Sequence, residues 1–255
     1  MKKGLTILFL SFYSFFIPYL SSAQQTVGLF TKNLGQQDGY VLFSPGSSDY
    51  TYLIDKCGKL VHEWNTGANP GLDAYIYPNG NLLSTGKTNN SYFNSSGSAG
   101  GLLQIFNWNG KLLWSYAISD SLHKQDHDVY PMPNGNILVC EWARYTNAQA
   151  IAAGADPAKI KKSAIWTMEI QEIEPVGGGS INVVWQWNQW DHIIQDYDST
   201  RPNYGVVADH PERWNINYQD SAVLNEGGHL LADWTHANAI AYNADLDQVM
   251  ISSRE

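Results

Sequence analysis

The chain has 255 residues, enough for one domain of ordinary size with a real core, and its 24 acidic against 15 basic residues give a formal net charge of −9 at pH 7. Such a surface repels phosphate, which argues against nucleic acid or an anionic membrane surface as a partner and makes any local cationic group stand out. With 10 tryptophans and 15 tyrosines, the composition suits β-structure or a surface that binds aryl groups or carbohydrate.

Met1-Lys-Lys precedes an apolar run from Leu5 to Leu20, and Ser21-Ser-Ala23-Gln24 follows as a small-residue cleavage pattern. This layout predicts a signal peptide over residues 1–23, cut after Ala23, and an exported protein of the periplasm or the extracellular space. Ser11, Ser14 and Pro18 interrupt the run and argue against a retained anchor, and no later stretch is apolar enough to span a bilayer. Loss of Lys2 and Lys3 with the leader leaves 13 basic against 24 acidic residues, a net charge of −11 over residues 24–255. Cys57 lies beside a turn glycine and Cys140 inside an apolar run, so they read as separate thiols, although an exported protein can form disulfides.

Two phrases alternate along the chain. Tyr77-Pro-Asn-Gly-Asn-Leu-Leu83 returns as Met132-Pro-Asn-Gly-Asn-Ile-Leu138, and Asp55-Lys-Cys-Gly-Lys-Leu-Val-His-Glu-Trp64 returns as Asn107-Trp-Asn-Gly-Lys-Leu-Leu-Trp-Ser-Tyr116, with its aromatic end again at Val183-Val-Trp-Gln-Trp187. Asn-Gly and Gly-Lys between apolar runs are hairpin signals, because the turn needs positive φ. One hairpin type is expected near 51–65, 101–118 and 164–187, the other near 73–86, 126–143 and 236–254. Two hairpins make a four-stranded unit about fifty residues long, the period of a β-propeller blade. The fold class predicted is therefore all-β, a propeller of four-stranded blades, with about three to three and a half blades in this chain. That is fewer than a closed ring needs, so the reading is of a truncated, unclosed piece. Insertions fall near 144–163, where Asn147 to Lys161 reads as a short helix or a loop, and near 188–232; Thr88 to Gly101 reads as a loop.

In a propeller the first strand of each blade lines the channel. Counted back from the turns, His127 and His236 fall at the same place in neighbouring blades to within about one residue, and Leu72-Asp73 holds the corresponding place in the blade before. Strand alternation puts Trp234, His236 and Asn238 on one face, with Arg254 on the partner strand, and puts Asp128 opposite His127, where it can orient neighbouring backbone. A guanidinium matches sulfate or phosphate oxygens, and imidazole can donate to the same anion, carry a proton or act as nucleophile. The plain alternative is a polar strand end with a solvated arginine. A metal site fits worse: the cysteines are scattered and a guanidinium repels a cation, so no metal and no cofactor is assigned. Glu169, Glu172 and Glu174 read as the solvated side of a strand, and Trp185, Trp187 and Trp190 as packing aromatics.

Trp108-Asn-Gly-Lys-Leu-Leu-Trp114, His127-Asp-Val-Tyr-Pro-Met-Pro-Asn-Gly-Asn136, Trp190-Asp-His-Ile-Ile-Gln-Asp196 and Asp233-Trp-Thr-His-Ala-Asn-Ala-Ile240 with Ile251-Ser-Ser-Arg254 together resemble the bacterial arylsulfate sulfotransferases. The resemblance implies an exported six-bladed propeller. Its expected activity is to move a sulfuryl group from an aryl sulfate to a phenolic acceptor, without the nucleotide donor PAPS, through a sulfated histidine. It implies that His127, His236 and Arg254 grip the sulfuryl oxygens and that Asn238 contacts substrate. His192 is a further candidate contact, set against a structural histidine bonded to Asp191 or to a carbonyl. The family's nucleophilic histidine follows its Ser-Ser-Arg motif, so it is expected beyond residue 255. Two other readings stand beside this one: a non-catalytic secreted propeller that binds a glycan or protein, and an aryl sulfate hydrolase. No oligomeric state is read from the residues.

Overall fold

Each predicted turn closes by the chemistry its residues supply. The Asn79 carboxamide accepts the Asn81 amide at 3.0 Å and Gly80 takes φ +83°; Asn134, Asn136 and Gly135 at φ +92° repeat the arrangement. A side-chain oxygen two residues back in the chain and one residue with positive φ fold the strand on itself.

The computed structural model describes residues 31, 33, 35–93, 100–160, 163–218 and 232–254; the expected leader over 1–23 lies outside them. The chain divides into units Met1–Gln37 and Asp38–Glu255, and every strand and helix described belongs to the second. Strands β1 (Tyr40–Phe43), β2 (Tyr50–Asp55) and β3 (Leu60–Asn65) form a three-stranded antiparallel sheet. A four-stranded sheet follows in chain order, β4 (Pro70–Ile76), β5 (Leu82–Lys87), β6 (Gly101–Phe106) and β7 (Leu112–Ala117). Another is built from β8 (His123–Pro131), β9 (Ile137–Thr146), β10 (Ala164–Val176) and β11 (Ser180–Asn188). Between it and the last hairpin, β12 (Ile193–Ile194) and β13 (Trp214–Asn215) make a short parallel pair; the hairpin itself is β14 (Ala237–Asn243) with β15 (Gln248–Ser253). All six predicted hairpins are present, and β1 is an addition that the repeat did not announce. The chain is all-β apart from short helical turns, and no sheet closes on itself among the described residues.

The sheets stack face to face. Leu83, Leu103 and Trp114 meet Val129, Ile137, Val139 and Ile173 across one interface, while Leu138, Cys140, Met168 and Ile170 meet Ala237 and Ile240 across the next. Strand β9 thus buries both faces, which is why Ile137-Leu-Val-Cys140 reads as an unbroken apolar run. Each such side chain contributes about 1.5–3 kcal/mol of transfer free energy. No disulfide joins Cys57, at the surface, to Cys140, in the core.

The insertion after β9 carries a helix, α1 (Asn147–Ala152), with a capping box between Thr146 and Gln149. The long connection after β11 holds 3₁₀ turns at Gln189–His192 and Val207–Asp209 and is tied internally by the buried Gln195. The Gln195 amide oxygen accepts from the Tyr197 and Asp198 amides, and its nitrogen donates to the Asp198 and Pro202 carbonyls. Residues 219–231 of that connection lie outside the described residues. Among the described residues no helix is long and apolar enough to cross a membrane.

The first strands of successive sheets, β4, β8 and β14, pack side by side, and one carboxylate joins them. Asp128 in β8 accepts the Tyr75 hydroxyl of β4 at 3.0 Å and the Ile240 amide of β14 at 2.8 Å. Orphaning a buried donor costs about 1–3 kcal/mol, so Asp128→Ala is expected to lower stability by about 2–4 kcal/mol in a urea titration. A loss below about 1 kcal/mol would show that apolar stacking alone sets the strand alignment.

Candidate active site

The strand starts that were expected to converge share an unusual backbone. Pairing of β4 with β5 breaks between Pro70 and Ala74, of β8 with β9 between Gln125 and Val129, and of β14 with β15 between Ala237 and Ala239. Leu72 and His127 within the first two breaks, and His236 directly before the third, take φ of +102°, +46° and +49°. Side chains other than glycine in this region cost about 1–3 kcal/mol each and persist only where the surroundings enforce them. His236 precedes β14 and does not lie within a strand, so the alternation expected for Trp234, His236 and Asn238 does not hold. The left-handed corner turns His236 toward His127 instead, and Trp234 is buried with its indole N–H donating to the Tyr218 carbonyl at 2.9 Å.

The two imidazoles meet edge to face, with ring centroids 4.8 Å apart and planes at 77°. Each is held from behind by a buried carboxylate. His127 Nδ1 donates to Asp126 Oδ2 at 2.8 Å, and His236 Nδ1 donates to Asp233 Oδ2 at 2.6 Å. The other Asp233 oxygen accepts the Trp142 indole N–H and the His236 amide, each at 3.2 Å. Occupied Nδ1 atoms leave the Nε2 edges as the working ones, and among the described residues neither Nε2 has a hydrogen-bond partner. Around them, the Arg254 amide donates to the His236 carbonyl at 3.0 Å and the Ser253 hydroxyl donates to the Thr235 carbonyl, which seats Arg254 beside His236 with its own side chain exposed.

Burial by itself pushes the His127 imidazole down, but its bond to Asp126 and the nearby Asp126, Asp233 and Asp73 carboxylates together hold it above the usual histidine range. Burial raises Asp126 to about 6, against the pull of its bond to His127. Asp73, beside the first corner, is pushed up to about 8 by burial and by the neighbouring Asp128 carboxylate, with His127 opposing.

Of the predicted residues, His127 and His236 come together and Arg254 joins His236 through the backbone. Asn238 is half-buried at the β14 irregularity, two residues from His236. His192 does not join them. It stacks on the Trp187 ring at 5.1 Å, and Trp187 belongs to β11, three strands from β8. At about 4.8 Å per strand that is roughly 14 Å from His127. Glu169, expected on a solvated side, is buried, where it accepts from Gln171, Gln186 and Asn188. Its strand is covered by the neighbouring sheet, a fact of stacking that alternation cannot express. A groove between β11 and β15, lined by Trp185, Trp187, Tyr242 and Ile251 among others, contains none of the predicted site residues. Asp126, Asp233 and Trp142 were missed; the two acids stand one and three places before the histidines, but only the fold shows that they bond to them. Among the described residues no three His, Cys, Asp or Glu side chains are arranged to hold a metal ion.

The residues 31–255 match the family model described as arylsulfotransferase (ASST), and the chain belongs to that family. No curated protein matches it.

Asp126→Asn removes the charge that offsets burial, so the His127 imidazole is expected to titrate lower than in the wild type by NMR; an unchanged titration would remove Asp126 as the cause. Asp73 sets a second expectation. A carboxyl raised from 3.8 to about 8 stabilises the fold fully below pH 4, and that stability is lost as pH rises through about 8. Unfolding free energy should therefore fall between pH 4 and 8 by up to about 1.4 kcal/mol per pH unit from this group, and Asp73→Asn should flatten the slope.

Proposed function

We propose that the protein is an aryl-sulfate sulfotransferase that passes a sulfuryl group from an aryl sulfate to a phenol without a nucleotide donor. The observation that carries this reading is the pair of imidazoles 4.8 Å apart, each backed by a buried carboxylate and flanked by Arg254. On this reading each ring, when it carries both protons, donates its Nε2–H to the sulfuryl oxygens alongside the guanidinium as the S–O bond to the aryl group breaks, and Asn238 contacts the substrate. Fixed donors aimed at developing charge lower such barriers without reorganisation. A histidine nitrogen forms the new bond to sulfur as the aryl oxide leaves; the phenol oxygen then displaces that nitrogen. Family resemblance puts this nucleophile further along the chain than Arg254.

The stacked sheets, read as successive blades of a β-propeller, support the same reading, because first strands that pack side by side bring such residues to one channel. The leader-like start of the chain supports export. The complete gene product, given para-nitrophenyl sulfate and a phenol, should release para-nitrophenol and form the new aryl sulfate. His127→Ala and His236→Ala should each slow this about 10²–10³-fold. Release no faster than in His236→Ala would sink the proposal, and release of inorganic sulfate independent of the phenol would favour a hydrolase.

A further inference from the structure

The two His–Asp pairs look alike, but their carboxylates carry different loads. Asp126 Oδ2 accepts from His127 Nδ1, and its other oxygen is buried with no hydrogen-bond partner among the described residues. Asp233 accepts three donors: His236 Nδ1 at 2.6 Å on one oxygen, and the His236 amide and the Trp142 indole N–H, each at 3.2 Å, on the other. Only the indole comes from outside the histidine's own segment.

The surroundings of Trp142 hold that donor in place. It lies in β9, 2% exposed, beside Phe93 and Trp166, whose ring centroids are 6.0 and 5.0 Å from its own. The segment that bears Asp233 is pinned next to it, because the Trp166 amide donates to the Ala232 carbonyl at 2.7 Å and the Trp234 amide to the Trp166 carbonyl at 3.0 Å. Neither the indole nor the carboxylate is free to turn away.

Donors on a buried carboxylate spread its charge and weaken its pull on a neighbouring cation. An oxygen buried without a donor keeps its charge concentrated, so Asp126 pulls harder on a protonated ring than Asp233 does. Two cationic rings with centroids 4.8 Å apart also repel, so one ring charges before the other.

We infer that Trp142 is a positioning residue of this site: by drawing on Asp233 it makes the two pairs unequal and directs the first extra proton to His127 instead of His236. The site then presents one charged Nε2–H donor and, beside it, one neutral ring whose Nε2 offers a lone pair. The other titratable or charged groups around the rings are Asp126 and Asp128 from β8, Asp73 from β4, Asp233 before β14, Arg254 after β15 and the Cys140 thiol of β9, which burial keeps protonated. Asp73 adds to the pull on His127, so removing the indole N–H alone isolates the share of Trp142.

A histidine-ring NMR titration of the complete gene product tests this without turnover, so it stands or falls apart from the sulfotransfer reading. Signals are assigned with His127→Gln and His236→Gln. In the wild type His127 is expected to lose its second proton about one pH unit or more above His236, and coincident or reversed midpoints would overturn the inference. Trp142→Phe keeps an aromatic ring in the cluster but removes the N–H, and should narrow that gap by about half a unit or more as His236 moves up. Trp166→Phe removes an indole from the same cluster whose N–H is buried with no partner, and should leave the gap unchanged. An unchanged gap in Trp142→Phe, or equal narrowing in Trp166→Phe, would overturn the role given to the indole N–H. If Trp142→Phe does not fold, the wild-type Trp142 indole N–H signal carries the test: it is expected to shift across the His236 midpoint, and a flat signal overturns the inference.

Discussion

The arrangement depends on one buried carboxylate shared by adjoining sheets. Asp128 bonds to a hydroxyl on the strand before it and an amide on the strand after it. Apolar faces alone leave sheets free to slide, since dispersion and desolvation are nearly blind to small translations. A directional acceptor with both oxygens in use is not, and it aligns β4, β8 and β14 at the level where each strand turns through its left-handed corner. The two imidazoles meet because those corners share a level.

That alignment carries an electrostatic burden. Asp126 and Asp233 are almost fully buried, and burying a carboxylate is costly unless a donor is aimed at it. Each histidine is that donor, and each carboxylate in turn fixes the tautomer and holds the ring against its strained backbone. Trp142 extends the support of Asp233 from β9, on the body of the sheet. The functional edge is thus preorganised by groups that do not face it, and removing one of them is expected to disturb the imidazole more than the fold.

Much of this was legible along the chain. Asn-Gly turns and alternating phrases announced six hairpins, though not the pairing of β1 with β2, because turn chemistry is local and positive φ has few suppliers. Counting back from the turns matched His127, His236 and Leu72 to within about one residue, because similar spacing from the turns lands on similar positions. Period-two reasoning failed at His236, which precedes its strand, and at Glu169, which is buried on the expected outer face. It also ranked His192 as a candidate from its motif, although that ring stacks on an outer strand.

The amino-acid order by itself determined the hairpins, the repeat that sets two histidines in register and the family to which the chain belongs, since turns and spacing are properties of short segments. Only the tertiary structure decided that Asp126 and Asp233 back two imidazoles that meet, and that Asp128 links three strands. The Asp128 bonds reach partners 53 and 112 residues away. Which groups meet over such distances is settled by how the sheets stack, and that stacking is an energy of the whole fold.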